Sequence, residues 1–560
     1  MRLLPRTVSS VGVALATLPL AFGALATPGL TPQAIAAQGQ TALASPQPLP
    51  TAQINGVVWD QTIVGNVVYV VGEFDQARPA GSPDRQNESP RSNAMAYDIT
   101  TGEMLDWAPQ LNAAANAIEA SPDGSTLYIG GKFTSVNGQP ASRLAAVDTA
   151  GQYKPLNGGT PGGAVSPNGT VRDLELSPDG STLYMAGLFT QVNDQERLRA
   201  AALDLKTQQV TSFAPRVDDE SEVRTITVAA DGSAVAIGGS FKTVEGSSDA
   251  YGMAILEKDG ALRHTNLTKD IKNAGSMSGI MSMKSDSKGL YGAAYSMEGL
   301  FEGMFRADWS TGDINLMADC HGDSYDVLPT NDVIYVSSHT HDCSNIGGVP
   351  DRAQEGVYYH AVAYSSTATG TVGNNTAIGY TDFAGHPAPT QYNEFLPGFA
   401  NGEYTASKQA TWTVEGNDDY LIYGGEFVAV NGIPQQGLVR FSLTGDKKED
   451  KKEDKNEGKK PEEEKGKNDD KNDWGDPEDP PPWYWDWDWP LAEAESPPAA
   501  LLPVLLPHHL HPRPPGQVRV RAARLLLLLP LPLRPHQPPP AAHRPRPRSR
   551  RRPSRRRIPP

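Results

Sequence analysis

Cysteine is scarce: two residues in a chain of 560. That excludes a disulfide-dense scaffold, and the absence of any CxxC spacing argues against a thiolate zinc site. Long apolar runs are scarce too. The stretch from about Val11 to Leu25 is shorter than the ~20 residues a spanning helix needs, and the leucines at 525–529 are interrupted by Pro530 and Pro532. No nucleophile elbow, P-loop or HExxH stands anywhere in the chain, which removes the common signatures of serine hydrolases, nucleotide hydrolases and zinc peptidases. Apolar residues make up only 38% and the net charge is −16, so nucleic acid is excluded as a partner of the chain as a whole. What is abundant is Gly (54) and Pro (48), the composition of a turn-rich all-β protein with low-complexity tails.

The first residues predict export. Arg2 and Arg6 precede the short apolar stretch, and small-x-small cleavage candidates follow at Ala24-Leu25-Ala26 and Ala34-Ile35-Ala36. Residues 1–36 are therefore expected to be a signal peptide. The mature chain would have no transmembrane helix and be secreted or displayed at the cell surface, in an oxidising compartment where a disulfide persists.

One phrase repeats. A turn, a short apolar strand, two small residues, one variable residue and a Phe occur as SPDGSTLYIGGKF to Phe133, SPDGSTLYMAGLF to Phe189 and AADGSAVAIGGSF to Phe241. Weaker copies end at Phe74 and Phe427, and degenerate ones lie around Tyr295 and Thr340. The first four phenylalanines are 59, 56 and 52 residues apart. Asp-Gly between apolar runs is a hairpin signal, because tight turns need residues that tolerate positive φ. Each unit thus supplies about four short strands. A lone four-stranded sheet has two apolar faces to bury, and radial stacking of such sheets buries both. The prediction is an all-β fold, a seven-bladed β-propeller over residues 40–445 with a disordered low-complexity C-terminal tail. The last unit lacks an outer strand, and residues 40–48 are predicted to supply it.

The motifs GGKFTSVNG, AGLFTQVND, GGSFKTVEG and GGEFVAVNG resemble those of secreted actinobacterial β-propellers of the delta-60-repeat and kelch-like type. The resemblance covers roughly residues 50–445. It implies the fold and leaves chemistry open, since such propellers include binding proteins and enzymes.

The sixth unit departs most from the consensus. Its text, DCHGDSYDVLPTNDVIYVSSHTHDCSNIGG, holds both cysteines. A two-residue turn at Asn331-Asp332 sets Thr330 opposite Val333, and the same register sets Cys320 opposite Cys343, which predicts a disulfide. It places His339 and His341 on one strand face with Asp326 diagonal to them, a set able to hold a divalent metal. No other cofactor is expected. His321 and Asp323 point to the opposite face. Beyond this unit lies a long aromatic stretch, about residues 378–405, with Tyr380, Tyr392 and Phe395. It is read as joining the outer strand of blade six to the inner strand of blade seven and converging with the histidines on one rim. His321, Asp323, Tyr380, Tyr392 and Phe395 are the candidate ligand-binding residues. Asn116, Arg172, Arg224 and Asp323 are aligned as inner-strand residues that line the central channel. Two functional classes stay open. One is a monomeric binding module for a glycan, peptide, cell-wall component or other extracellular polymer or protein. The other is a metal-assisted hydrolase or lyase using His339, His341 and Asp326.

From 446 to 473 the chain is almost wholly Lys, Glu, Asp, Asn and Gly, a solvated spacer. Residues 474–560 are rich in Pro and Arg, and no Lys follows Lys471. That switch suggests a frameshift near 474–490, which resequencing would test. A native basic tail that clings to anionic wall polymers is the alternative.

Overall fold

The computed structural model describes residues 43–156, 164–218 and 221–443. The expected signal peptide, spacer and C-terminal tail lie outside them. Of the sheets among the described residues, seven with three or four antiparallel strands follow one another along the chain as a series. Their first strands are Val57–Val64, Ala115–Ala120, Val171–Leu176, Val223–Val228, Ser278–Asp286, Ser324–Pro329 and Thr411–Gly416. Each of these inner strands adjoins the next, and the seventh adjoins the first, so the sheets close into a ring as the blades of a β-propeller.

The repeated phrase explains how one blade packs on another. Gly124, Gly180 and Gly232 take φ near +67° at the turns after the inner strands, where Asp123, Asp179 and Asp231 accept the N–H groups of Ser125, Ser181 and Ser233. The first residue of the small pair lies against the next blade. A Cβ at Gly130 would come within 2.6 Å of Val171, and one at Gly424 within 2.6 Å of Val58. The phenylalanine that ends the phrase is buried in all five clear copies.

The ring is fastened by the residues before blade one. Ser45 and Leu49 donate backbone N–H groups to Ser442 and Arg440, each at 2.8 Å. The Arg440 guanidinium donates to the carbonyls of Pro50, Ile99 and Thr100, which binds blade seven to the N-terminal segment and to blade one.

The aromatic stretch runs differently from the expectation. After the third strand of blade six, Tyr359–Ser365, the chain makes its excursion and then returns at Gln391, which bridges Tyr364 in the outer-strand position. Much of the excursion therefore falls inside blade six. It packs on blade five, where Phe383 meets Phe301 at 5.5 Å and joins Val372 and Ala388 in the same apolar core. Val372, Phe383 and Ala388 find more apolar area to bury against blade five than over the polar channel.

Candidate functional site

The disulfide is present: Cys320 and Cys343 are bonded with Cα atoms 4.2 Å apart. It links the approach to blade six with the loop after its second strand. Tyr364 donates its hydroxyl to the Cys320 Sγ at 3.2 Å.

The histidines around it are dispersed. His321 is buried, with Nδ1 3.3 Å from Asp342 Oδ2, and its ring stacks on Tyr380 at 3.9 Å. Hydrogen bonds from His321 and Ser344 outweigh burial and hold Asp342 down to about 2. His339 stacks on His360 at 5.6 Å and receives the Gln409 amide at Nδ1. His341 instead reaches Asp351 at 3.3 Å. Burial lowers His339 to about 3, with the neighbouring His360 and His341 adding to it. Asp326 stands apart from both rings. Its Oδ1 accepts Ser282 Oγ and Val327 N, and its Oδ2 accepts Val414 N from blade seven. His339, His341 and Asp326 are therefore not brought together, because the Asp side chain is used to join blades. Among the described residues no group of three His, Cys, Asp or Glu side chains is placed to hold a metal ion.

The ligand-binding candidates divide likewise. Asp323 is pushed up to about 6 by burial; it accepts Ser296 N and lies 3.4 Å from the Tyr325 hydroxyl. Nearby Glu302 is raised by burial and then by the Asp323 charge. His321 and Tyr380 do meet. Phe395 does not join them: it is fully buried, edge-on to Tyr335 and Phe441, and Tyr392 packs on the same core. Both were read as ligand-binding residues on the rim, but their rings fill the space between blades six and seven.

A second constellation is built by the backbone. In all seven blades the pairing of inner and second strands slips by one residue at the same place, so that a β-bulge recurs around the ring. Such a bulge re-aims a side chain. The bulged residues are Trp59, Asn116, Arg172, Arg224, Met281, Tyr325 and Trp412, and all seven line a central cavity of about 510 Å³. Blades six, seven and one contribute an aromatic arc: Tyr325 is 4.5 Å from Trp412, and Trp412 is 5.3 Å from Trp59. Opposite them, Arg172 and Arg224 share Glu222. Burial pushes Glu222 up, but the two arginines outweigh it and hold the carboxyl below its ordinary range. Sequence alignment placed Asn116, Arg172 and Arg224 in this ring and chose Asp323 for blade six. Tyr325 takes that position instead, since the bulge lies between Ser324 and Asp326. The signal was present in Trp59-Asp60, Arg172-Asp173 and Tyr325-Asp326, in which a large side chain precedes the aspartate that caps the neighbouring inner strand.

The aspartates after the bulges do structural work. Asp60 accepts Gln61 N and Ile118 N; Asp173 accepts Leu174 N and Ile226 N. Each carboxylate therefore ties its own strand to the next blade, as Asp326 does.

A family-model comparison agrees on a β-propeller fold. A family model described as the Rax2 C-terminal beta propeller domain matches residues 95–249. No curated protein matches. Among solved structures, the chain is similar to the extracellular domain of the putative hybrid two-component system BT4673 from B. thetaiotaomicron, at 12% identity and a TM-score of 0.39, over 70% of this chain and 39% of that one. It thus spans about two fifths of that protein's length. It is also similar to the computationally designed Ika8 protein, at 11% identity and a TM-score of 0.36, over 71% and 99% of the two chains. Kuenenia stuttgartiensis hydrazine synthase follows at 13% and 0.31, over 55% and 72%. No helix among the described residues is long and apolar enough to cross a membrane.

Proposed function

We propose that the protein is an exported or cell-surface binding propeller that receives a glycan segment in its central channel. The observation that carries this reading is the ring of seven bulges, which turns one residue per blade into a common cavity. Scaffold stability does not require that repetition to end in an aromatic arc on one side and a pair of arginines on the other. Aromatic faces with a few convergent polar groups are the usual lining of a site for a small organic ligand, and a cavity of this size falls in the usual range. Export fits the N-terminal sequence and the disulfide between Cys320 and Cys343.

A glycan array probed with the purified full chain tests the reading, with Met281→Trp as the control that fills the channel from a bulge position. Binding to a defined set of glycans that Met281→Trp abolishes is the expected result. An array without hits, or hits that survive Met281→Trp unchanged, would overturn it.

A further inference from the structure

Beyond the bulge ring, and beyond the row of capping aspartates, the inner strands present another row of side chains to the cavity. Thr62, Glu119, Glu175, Thr227, Lys284 and Glu415 belong to it, all lining the same space. One half of this row is internally compensated: the Lys284 ammonium lies 3.0 Å from Glu415 Oε1. The other half, on blades one to three, is Thr62, Glu119 and Glu175, with no cation of the chain paired to either carboxyl among the described residues.

Two independent features mark that half as incomplete. The first is charge: two carboxyl groups on adjacent blades face one confined space. Burial raises both, and Glu175 stands at about 8; the Lys284 charge opposes this, and the neighbouring carboxylates reinforce it. The second is an orphaned donor and acceptor. Thr62 is only 3% exposed, lines the cavity, and its hydroxyl has no hydrogen-bond partner. Buried polar groups without partners are uncommon and point to a group that is absent. A bare metal ion does not answer the geometry, since no three acidic, His or Cys side chains of the described residues gather closely enough. A larger cation with several N–H donors does.

We infer that Thr62, Glu119 and Glu175 form a subsite for a primary ammonium group, and that the ligand of the channel is an amino sugar with its nitrogen free. This rests on the reading of the channel as a glycan site. The ammonium replaces the missing charge and donates to the carboxylates, as the Lys284 ammonium does across the channel. The aromatic arc lies three residues back along the strands, about 10 Å away, where pyranose faces can stack. N-acetylation removes the charge and adds bulk at the subsite, so an acetylated sugar is disfavoured.

The test is calorimetric titration of the full chain at pH 7.5 with a β-1,4-linked glucosamine tetramer and with its fully N-acetylated counterpart. The free-amine tetramer is expected to bind at least about tenfold more tightly, as the loss of one charged hydrogen bond implies. Titrated again at pH 6, where the sugar amine is already protonated, its binding should release protons from Glu119 and Glu175, read from the buffer dependence of the enthalpy. The double variant Glu119→Gln/Glu175→Gln should lose the preference and the proton release while melting no lower than the parent. Equal binding of the two tetramers that Met281→Trp abolishes would overturn the ammonium subsite and leave the channel reading standing. Preference for the free amine that survives Met281→Trp would overturn both. Binding of neither tetramer would overturn the amino-sugar assignment, and the array then decides the channel reading by itself.

Discussion

Replacing Asp326 by alanine removes three hydrogen bonds at one position. The carboxylate is 7% exposed and accepts Ser282 Oγ at 2.6 Å and the N–H groups of Val327 and Val414 at 2.9 Å each. Ser282, Asp326 and Val414 stand on the inner strands of blades five, six and seven, so the loss loosens two blade interfaces together. A hydrogen bond to a charged acceptor contributes about 1.5 kcal/mol at the low end, and the two stranded N–H groups stay buried, so the expected cost is about 4 kcal/mol. Asp326→Asn keeps one oxygen for Ser282 and Val327 but turns an amide N–H toward Val414; about 2 kcal/mol is expected there. Asp60→Ala, which removes two backbone partners, should cost about 3 kcal/mol. Urea denaturation followed by tryptophan fluorescence measures all three, and the order matters more than the absolute values. A change below about 1 kcal/mol for Asp326→Ala would refute the claim that this aspartate holds the blades together. Metal chelation should leave the parent's stability unchanged, which separates a structural from a ligating Asp326.

The same fold leads to three further expected outcomes. The disulfide spans 23 residues, so Cys320→Ala/Cys343→Ala should cost about 3 kcal/mol in the chain-entropy account, seen as a lower melting temperature and early proteolysis near blade six; an unchanged melting temperature would contradict it. Phe395→Ala should cost about 3–5 kcal/mol as a core truncation while leaving glycan binding intact, whereas a selective loss of binding would restore Phe395 to the ligand site. Glu175 has a folded value of about 8, raised by burial, above its unfolded value. The stability that its protonated form supports is present at low pH and lost as pH rises through that value. Glu175→Gln should therefore gain on the parent progressively between pH 5 and 8 in thermal melts, and a constant difference across that range would refute the shift.

Much of this protein was legible in one dimension because its interactions recur. Asp-Gly turns, paired small residues and the closing phenylalanine are local requirements of a blade, and repetition makes each visible against chance. The Cys320–Cys343 pairing was legible from the turn at Asn331-Asp332, although the register slips by one residue at Tyr325 and is recovered only at the His321–Asp342 bridge. What repetition could not show is where a chain goes when it leaves the pattern. The stretch around Tyr380 and Phe395 reads as one aromatic loop, yet Tyr380 lies on His321 while Phe395 is sealed between blades, because each ring goes to the nearest apolar surface that can cover it. His339 and His341 share a strand face on paper, but they take different partners: His339 stacks on His360 of the third strand, and His341 reaches Asp351 in the loop before it. Composition, period and the turn register determined the all-β repeat and the disulfide. Only the tertiary structure decided which residues meet: a one-residue slip in strand pairing, invisible without the neighbouring strand, turns seven separated side chains toward one axis.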